Sequence, residues 1–220
     1  MASAARLDVL AAALLALAAP AAAAEASKAE PAPKPGPIAL AAPANLGAAV
    51  AAVEKATGAK PEKLPFDGVS LADGRSFEVE PAIAERLLTG SHATFKRAGF
   101  YLFRYERSFG LAGDKDRLGL LGTTDHRVIL RKVGTAAPRR DLGTDQVIAW
   151  LDALAKDEPF DLSEIGADYV AGRFERVPKD PVAVARRCAD FAPELVAGRA
   201  STLDLLAGEI AANRTLYLIW

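Results

Sequence analysis

The composition of the chain changes sharply near residue 62. Before Phe66 the sequence contains no Phe, Tyr or Trp and is rich in Ala and Pro, whereas aromatic and bulky apolar residues recur with regularly spaced charges after it. Because a fold is stabilised by burying bulky apolar side chains, the first part of the chain can contribute little to a core. We therefore expect one globular domain over residues 62–220, preceded by an Ala/Pro-rich spacer over residues 25–61 that includes one short helix.

The first 24 residues have the pattern of a secretory signal peptide. Arg6 supplies a positive charge, residues 9–19 (VLAAALLALAA) are wholly apolar, and residues 22–24 are small, as a signal peptidase requires. The apolar run is shorter than the roughly 20 residues that cross a bilayer. The sequence therefore predicts cleavage near Ala24, a periplasmic or secreted location, and no membrane span after cleavage.

Hydrophobic periodicity predicts several strands in the globular part. Residues 101–106 alternate, with Tyr101, Phe103 and Tyr105 on one face and Arg104 on the other, which is typical of a half-buried strand. Short apolar runs predict a second strand over 117–122 and a third strand region within 159–177. Residues 215–220 are apolar on both faces and predict a central strand.

Capping residues predict helices between these strands. Asn45 and Asp125 each stand at the start of an amphipathic segment, and Thr144 is predicted to cap a helix over 144–156. Asp180 followed by Pro181 predicts another start, and a capping box with its Ser at position 201 predicts a last helix that ends at Asn213. Strands and helices interleave without a strict βαβ repeat. We therefore expect an α+β fold with a mostly antiparallel sheet and about four helices.

Charge, cysteine content and missing motifs exclude several classes of function. A net charge of −1 gives no basis for nucleic-acid binding, and one cysteine, Cys188, excludes an internal disulfide or a cysteine-clustered metal site. Phosphate-binding, dinucleotide-binding, zinc-protease and serine-hydrolase motifs are absent. We expect no metal and no cofactor, and we expect Cys188 to be buried and inert.

His126 and Asp125 are the candidate catalytic residues. A histidine near neutrality can act as a general base, and an adjacent carboxylate can orient its ring. The alternative is a histidine in the first turn of an amphipathic helix with no chemical role. The second histidine, His92, lies in the sequence Gly90-Ser91-His92, which predicts a loop.

A basic segment follows His126 and forms the candidate binding surface. Between Asp125 and Asp141 the chain carries no acidic residue. If its basic side chains share one surface, they would attract an anionic partner; the alternative is a solvated helix face and loop. The candidate binding residues are Arg127, Arg131, Lys132, Arg139 and Arg140.

From Phe100 onward, a series of short segments follows in a fixed order: Tyr101–Tyr105, Asp116–Leu121, Thr144–Leu151, Pro159–Leu162, Gly172–Phe174 and Asp180-Pro181. In this order the segments resemble the DUF4253 family, a bacterial domain family of unknown function. Phe191-Ala-Pro-Glu194 stands where the family has Phe-Cys-Pro-Asp, and the chain ends in Ile219-Trp220 where the family has Trp-Trp-Asp. The resemblance supports the fold and implies a diverged member with altered loops.

Two functional hypotheses follow from the sequence. The leading one is an exported binding or protein-interaction domain without catalysis, whose partner is another exported protein. The alternative is a hydrolase that uses His126 as base and Asp125 as its orienting carboxylate.

Overall fold

Alternating apolar and polar residues build a six-stranded sheet in the computed structural model, which describes residues 35–70, 72–108, 113–197 and 202–220. The strands are β1 (Gly74–Val79), β2 (Tyr101–Glu106), β3 (Asp116–Leu121), β4 (Phe160–Ile165), β5 (Tyr169–Phe174) and β6 (Thr215–Ile219). Their spatial order is β1-β3-β2-β4-β5-β6, and every pairing is antiparallel except that of β2 with β4. The sheet thus consists of two antiparallel halves joined by one parallel pairing.

Six α-helices and two short 3₁₀ helices accompany the sheet in the described part of the chain. The α-helices are α1 (Leu46–Thr57), α2 (Pro81–Arg97), α3 (His126–Val133), α4 (Thr144–Asp157), α5 (Pro181–Phe191) and α6 (Leu203–Asn213); the 3₁₀ helices are Pro138–Arg140 and Pro193–Val196. The predicted α+β class with a mostly antiparallel sheet is confirmed. The predicted number of about four helices is too low, because no sequence signal was assigned to α2.

Most of the predicted helix starts are confirmed by hydrogen bonds from backbone N–H groups to the capping side chains. Asn45 accepts from Ala48, and Asp180 accepts from Ala183. Two caps were predicted one residue away from their actual positions. Gly143 rather than Thr144 is the N-cap of α4, where the Gln146 side chain accepts from the Gly143 N–H, and Thr202 caps α6.

Two predictions about strands differ from the structure. The predicted strand region within 159–177 contains two strands, because Gly166 to Asp168 turn the chain back and β4 and β5 pair as a hairpin. Strand β6 lies at the edge of the described sheet, not at its centre. Leu216 and Leu218 are buried in the larger core, whereas Tyr217 and Ile219 are only partly buried.

Three predicted features lie outside the described residues. They are the signal peptide over residues 1–24, the first part of the spacer, and the Ser of the capping box at position 201.

The two faces of the sheet carry separate hydrophobic cores. On one face, α3 to α6 pack on Tyr101, Phe103 and Leu162 among others. On the other face, α1 and α2 pack on a second core that includes Phe77, Leu102 and residues of β1 and β3. Among the described residues, this second core takes no member from β4, β5 or β6. Helix α2 therefore lies beside the half-sheet of β4, β5 and β6 but shares no hydrophobic core with it.

A bulge in β4 decides which of its side chains reach each face. The pairing with β5 shifts register between Leu162 and Glu164, with Ser163 at the shift. In a regular strand, residues two apart share a face. The extra residue places Leu162 and Ile165 in the larger core while Glu164 points to the opposite face, toward Arg104.

The segment before α1 is bound along the outer side of α2. The Ile38 N–H donates to Arg86 O at 2.9 Å, and the Ser91 hydroxyl donates to Ile38 O at 2.7 Å. Gly90 permits this close approach, since a Cβ atom there would lie 2.3 Å from Ile38 O. The segment thereby adds Ile38 and Leu40 to the second core.

We expect Gly90→Ala to destabilise the protein by about 1–3 kcal/mol, because the added methyl group displaces the backbone at Ile38. Gly208→Ala is the matched control, since Gly208 is also inside a helix and has no atom within 4 Å of an added Cβ. It should stabilise by about 0.5–1 kcal/mol through helix propensity. Urea unfolding of both variants measures the effect, and equal stabilisation by both would contradict the close approach.

Candidate functional site

The site is built around the parallel pairing of β2 and β4, where Arg104 lies opposite Glu164. The sequence predicted that Arg104 faces solvent on a half-buried strand. This is wrong: the residue is 3% exposed, because the strand carries a helix-covered core on each face. A buried arginine is costly unless carboxylates pair with it, so its partners define the local structure.

Arg104 forms ion pairs with three carboxylates. Its Nε and Nη2 donate to the two oxygens of Glu164 at 3.0 and 2.6 Å, a bidentate arrangement, and its Nη1 donates to Asp116 at 2.5 Å. Nη2 also reaches Glu85 on α2 at 2.9 Å. A second guanidinium, that of Arg107, donates to Glu164 as well. Burial opposes the charge of Arg104, but the hydrogen bonds and charges of Glu164 and Asp116 outweigh it and raise the pKa of Arg104.

His92 connects α2 to both strands of this pairing. It lies inside α2 and is buried, so the predicted loop at Gly90-Ser91-His92 is wrong. Its Nδ1 is 2.6 Å from Leu102 O on β2, and its Nε2 is 3.0 Å from Asp161 Oδ2 on β4. Both ring nitrogens are thus engaged, one by a carbonyl oxygen and the other by a carboxylate oxygen. Neither ring nitrogen is left to take a proton from a nucleophile.

Asp161 is held in the ionised form. Burial favours the neutral acid, but the hydrogen bonds and charges of His92 and Lys96 outweigh burial and lower the pKa of Asp161 to about 2. Lys96, one turn beyond His92 on α2, pairs with the second carboxylate oxygen. The Asp161 side chain is 32% exposed, so water reaches one side of this ion pair.

A cleft of about 190 Å³ lies between α2 and the uncovered half-sheet. The ion pairs of Arg104 and those of Asp161 both contribute residues to its walls. Glu85 and Glu164 line one end of the cleft, and His92 and Asp161 line the other. Ser163, the bulge residue, and Arg173 of β5 complete the polar lining. Arg173 is exposed and makes no ion pair within the described part of the chain. The unpaired guanidinium of Arg173 therefore lies in the cleft wall beside the buried ion pairs of Arg104.

The predicted catalytic pair lies at the start of α3, outside this cleft. The Asp125 carboxylate accepts from the Arg127 N–H at 2.9 Å and caps the helix, as the sequence predicted. The His126 ring packs obliquely near Phe160 at a centroid distance of 6.3 Å. Burial, followed by the charge of Lys96, lowers the pKa of His126.

Four of the five residues of the predicted basic binding surface contact carboxylate or carbonyl groups within the protein. Arg127 pairs with Asp152 at 3.0 Å, and Arg131 pairs with Asp145 at 3.1 Å, both from α4. Lys132 donates to the carbonyl of Gly68, and Arg140 donates to the carbonyls at the end of α5. Arg139 is exposed on the 3₁₀ helix that contains Arg140.

Two further observations concern other predicted features. Burial raises the pKa of the Cys188 thiol to about 12, which agrees with the predicted inert residue. The described residues contain no group of three or more side chains that could hold a metal ion, and none of their helices is long and apolar enough to cross a bilayer.

The fold and the site define an α+β domain with a polar cleft beside a buried ion-pair layer. Residues 117–220 match the sequence model of DUF4253, a domain of unknown function. The predicted resemblance to this family is confirmed over these residues. Helix α2 and strand β2, which supply His92 and Arg104, lie before the matched residues. Neither the curated proteins nor the solved structures include a match to the chain.

We expect Arg104→Ala to cost about 3–5 kcal/mol of unfolding free energy, since it leaves Glu164 and Asp116 buried without their main counter-ion. Arg187→Ala is the control, because Arg187 makes an exposed pair with Asp157 at 2.9 Å, and we expect it to cost about 0–1 kcal/mol. Urea denaturation followed by circular dichroism measures both. Similar small costs would show that the buried pairs contribute no more than a surface pair.

The low pKa of Asp161 predicts a pH-dependent contribution to stability. Its folded value of about 2 lies below the ordinary 3.8, so the stabilisation is present above pH 4 and is lost as the pH falls toward 2. Allowing for the exposed side of the pair, we expect about 1–2 kcal/mol. The difference in unfolding free energy between the wild type and Asp161→Asn should therefore shrink between pH 5 and pH 2. A constant difference would contradict the assignment.

Proposed function

We propose that the protein is an exported, non-catalytic binding domain that recognises another exported protein through the cleft between α2 and β4. Export is supported by the sequence of residues 1–24, with Arg6, an apolar run and Ala22 to Ala24 in the order of a signal peptide. The partner is expected in the same compartment.

The observation that carries the proposal is the free Arg173 in a cleft whose other charges are already paired. Buried or half-buried charges in this protein have counter-ions, as the contacts of Arg104, His92 and Asp161 show. An exposed guanidinium in such a lining is therefore available for a partner. At about 190 Å³ the cleft is smaller than the ~300 Å³ at which small-molecule pockets begin, so it fits part of a protein surface better than a whole ligand.

The geometry also supports binding over catalysis. A nucleophilic mechanism at Ser163 would need a base with a free ring nitrogen, but both nitrogens of His92 are engaged by Leu102 and Asp161. The hydrolytic alternative at His126 needs Asp125 as its orienting group, whereas the Asp125 carboxylate accepts from the helix backbone. We therefore place binding first, and hydrolysis at His126 second.

The test is crosslinking and affinity capture in cells with the full chain, tagged within residues 25–34, and mass spectrometry of the products. Ala93→Trp fills the cleft from an exposed position of α2, and Ala211→Trp adds the same side chain to an exposed position of α6. We expect one partner at near-stoichiometric amount, reduced at least tenfold by Ala93→Trp and unchanged by Ala211→Trp. The recovered bait should begin near Glu25.

The competing surface is tested in the same experiment by combining Arg139→Glu with Arg140→Glu. Loss of the partner with this pair, and not with Ala93→Trp, would move the binding site to the basic segment. A bait that keeps residues 1–24 would contradict export. Hydrolytic activity that is lost in a folded His126→Ala variant would favour the second candidate.

A further inference from the structure

The two ends of the cleft differ in charge. At the end near Glu85, three carboxylates face two guanidiniums: Glu85, Asp116 and Glu164 against Arg104 and Arg107. The local sum is −1. The Glu85 side chain is 60% exposed and uses one carboxylate oxygen, Oε2, for Arg104. This end therefore presents a net negative charge to the solvent.

The opposite end is positive. Lys96 and His92 both contact Asp161, and Arg173 lies directly across from Asp161 on the neighbouring strand. Lys96 and Arg173 against Asp161 give a local sum of +1. Arg173 has no ion-pair partner among the described residues, so its charge is available at the surface.

Helix α2 gives the length of the cleft along its helix wall. Glu85 and His92 are seven residues apart on α2, which corresponds to about 10 Å at the rise of an α-helix. The interval between them is lined by Thr89 of the helix and Ser163 of the bulge. Both hydroxyls can donate to or accept from a peptide backbone.

We propose that the cleft binds a peptide segment of the partner protein that carries one basic and one acidic residue, one for each end of the cleft. The basic group lies against Glu85 and the acidic group against Arg173. This inference rests on the proposed function and specifies the chemistry of the partner. Opposite charges at fixed separation select both composition and direction of the bound segment, which a cleft of a single sign does not do.

The test is titration of the ¹⁵N-labelled protein with three blocked peptides, followed by NMR. Acetyl-Lys-Gly-Gly-Glu-amide carries both charges, with three residues of extended chain covering about 10 Å. Acetyl-Lys-Gly-Gly-Gln-amide and acetyl-Gln-Gly-Gly-Glu-amide each lack one charge. We expect the doubly charged peptide to bind at least fivefold more tightly than either control at low salt, with shifts at residues of α2 and β4, and to weaken as salt is added.

Two variants that remove one charge each assign the two charges to the ends of the cleft. Arg173→Gln should abolish the preference for Glu over Gln in the peptide while retaining the preference for Lys. Glu85→Gln should do the reverse. Equal binding of the three peptides to the wild type, no binding of any, or an unchanged preference in Arg173→Gln would overturn the inference.

The failure of this inference is distinguishable from failure of the proposed function. If Ala93→Trp abolishes capture of the partner but the peptides are not discriminated, the cleft is a binding site without the two-charge selectivity. If capture is insensitive to Ala93→Trp, the proposed function fails at its site, whatever the peptides do.

Discussion

The two halves of the sheet are joined where one buried arginine is surrounded by carboxylates. Strands β2 and β4 are parallel neighbours, and Arg104 links β4 through Glu164, β3 through Asp116 and α2 through Glu85. A buried charge without a counter-ion is strongly destabilising. Displacement of β3, β4 or α2 relative to β2 would therefore cost the stability that the ion pairs of Arg104 provide. His92 repeats the arrangement a few residues away by binding β2 and β4 at once. The position of α2, and hence the shape of the cleft, depends on these contacts.

The elements that were predicted correctly have a local signal in the sequence. Caps such as Asn45 and Asp180 act on N–H groups three residues away, and the periodicity of residues 101–106 is contained in the strand itself. The environment of Arg104 has no local signal, because alternation assigns a charged residue to a solvated face, while its partner Glu164 is 60 residues further along the chain. The helical position of His92 is hidden because Gly90 and Ser91 resemble a loop; their actual role is to bind the segment at Ile38.

The family match and the cleft describe overlapping but different parts of the molecule. The match begins within β3 and includes Asp161, Ser163, Glu164 and Arg173, which form the sheet wall of the cleft. The helix wall comes from α2, before the matched residues. The charged residues of the sheet wall therefore lie within the matched residues. The partners of Asp161 and Glu164, which are His92, Lys96 and Arg104, lie in the preceding segment. Any binding chemistry in this cleft needs both parts of the chain.

The bulge at Ser163 shows that the number of residues in β4, and not only their chemistry, decides where side chains lie. Leu162 and Glu164 would share a face in a regular strand, yet one belongs to the apolar core and the other to the charged layer. Loss of Ser163 would make Leu162 and Glu164 neighbours in sequence, and a regular strand places neighbours on opposite faces, so both side chains would keep their present faces. The bulge is therefore how β4 accommodates one additional residue while Glu164 stays beside the guanidiniums of Arg104 and Arg107. The spacing of residues in this strand is itself a structural element.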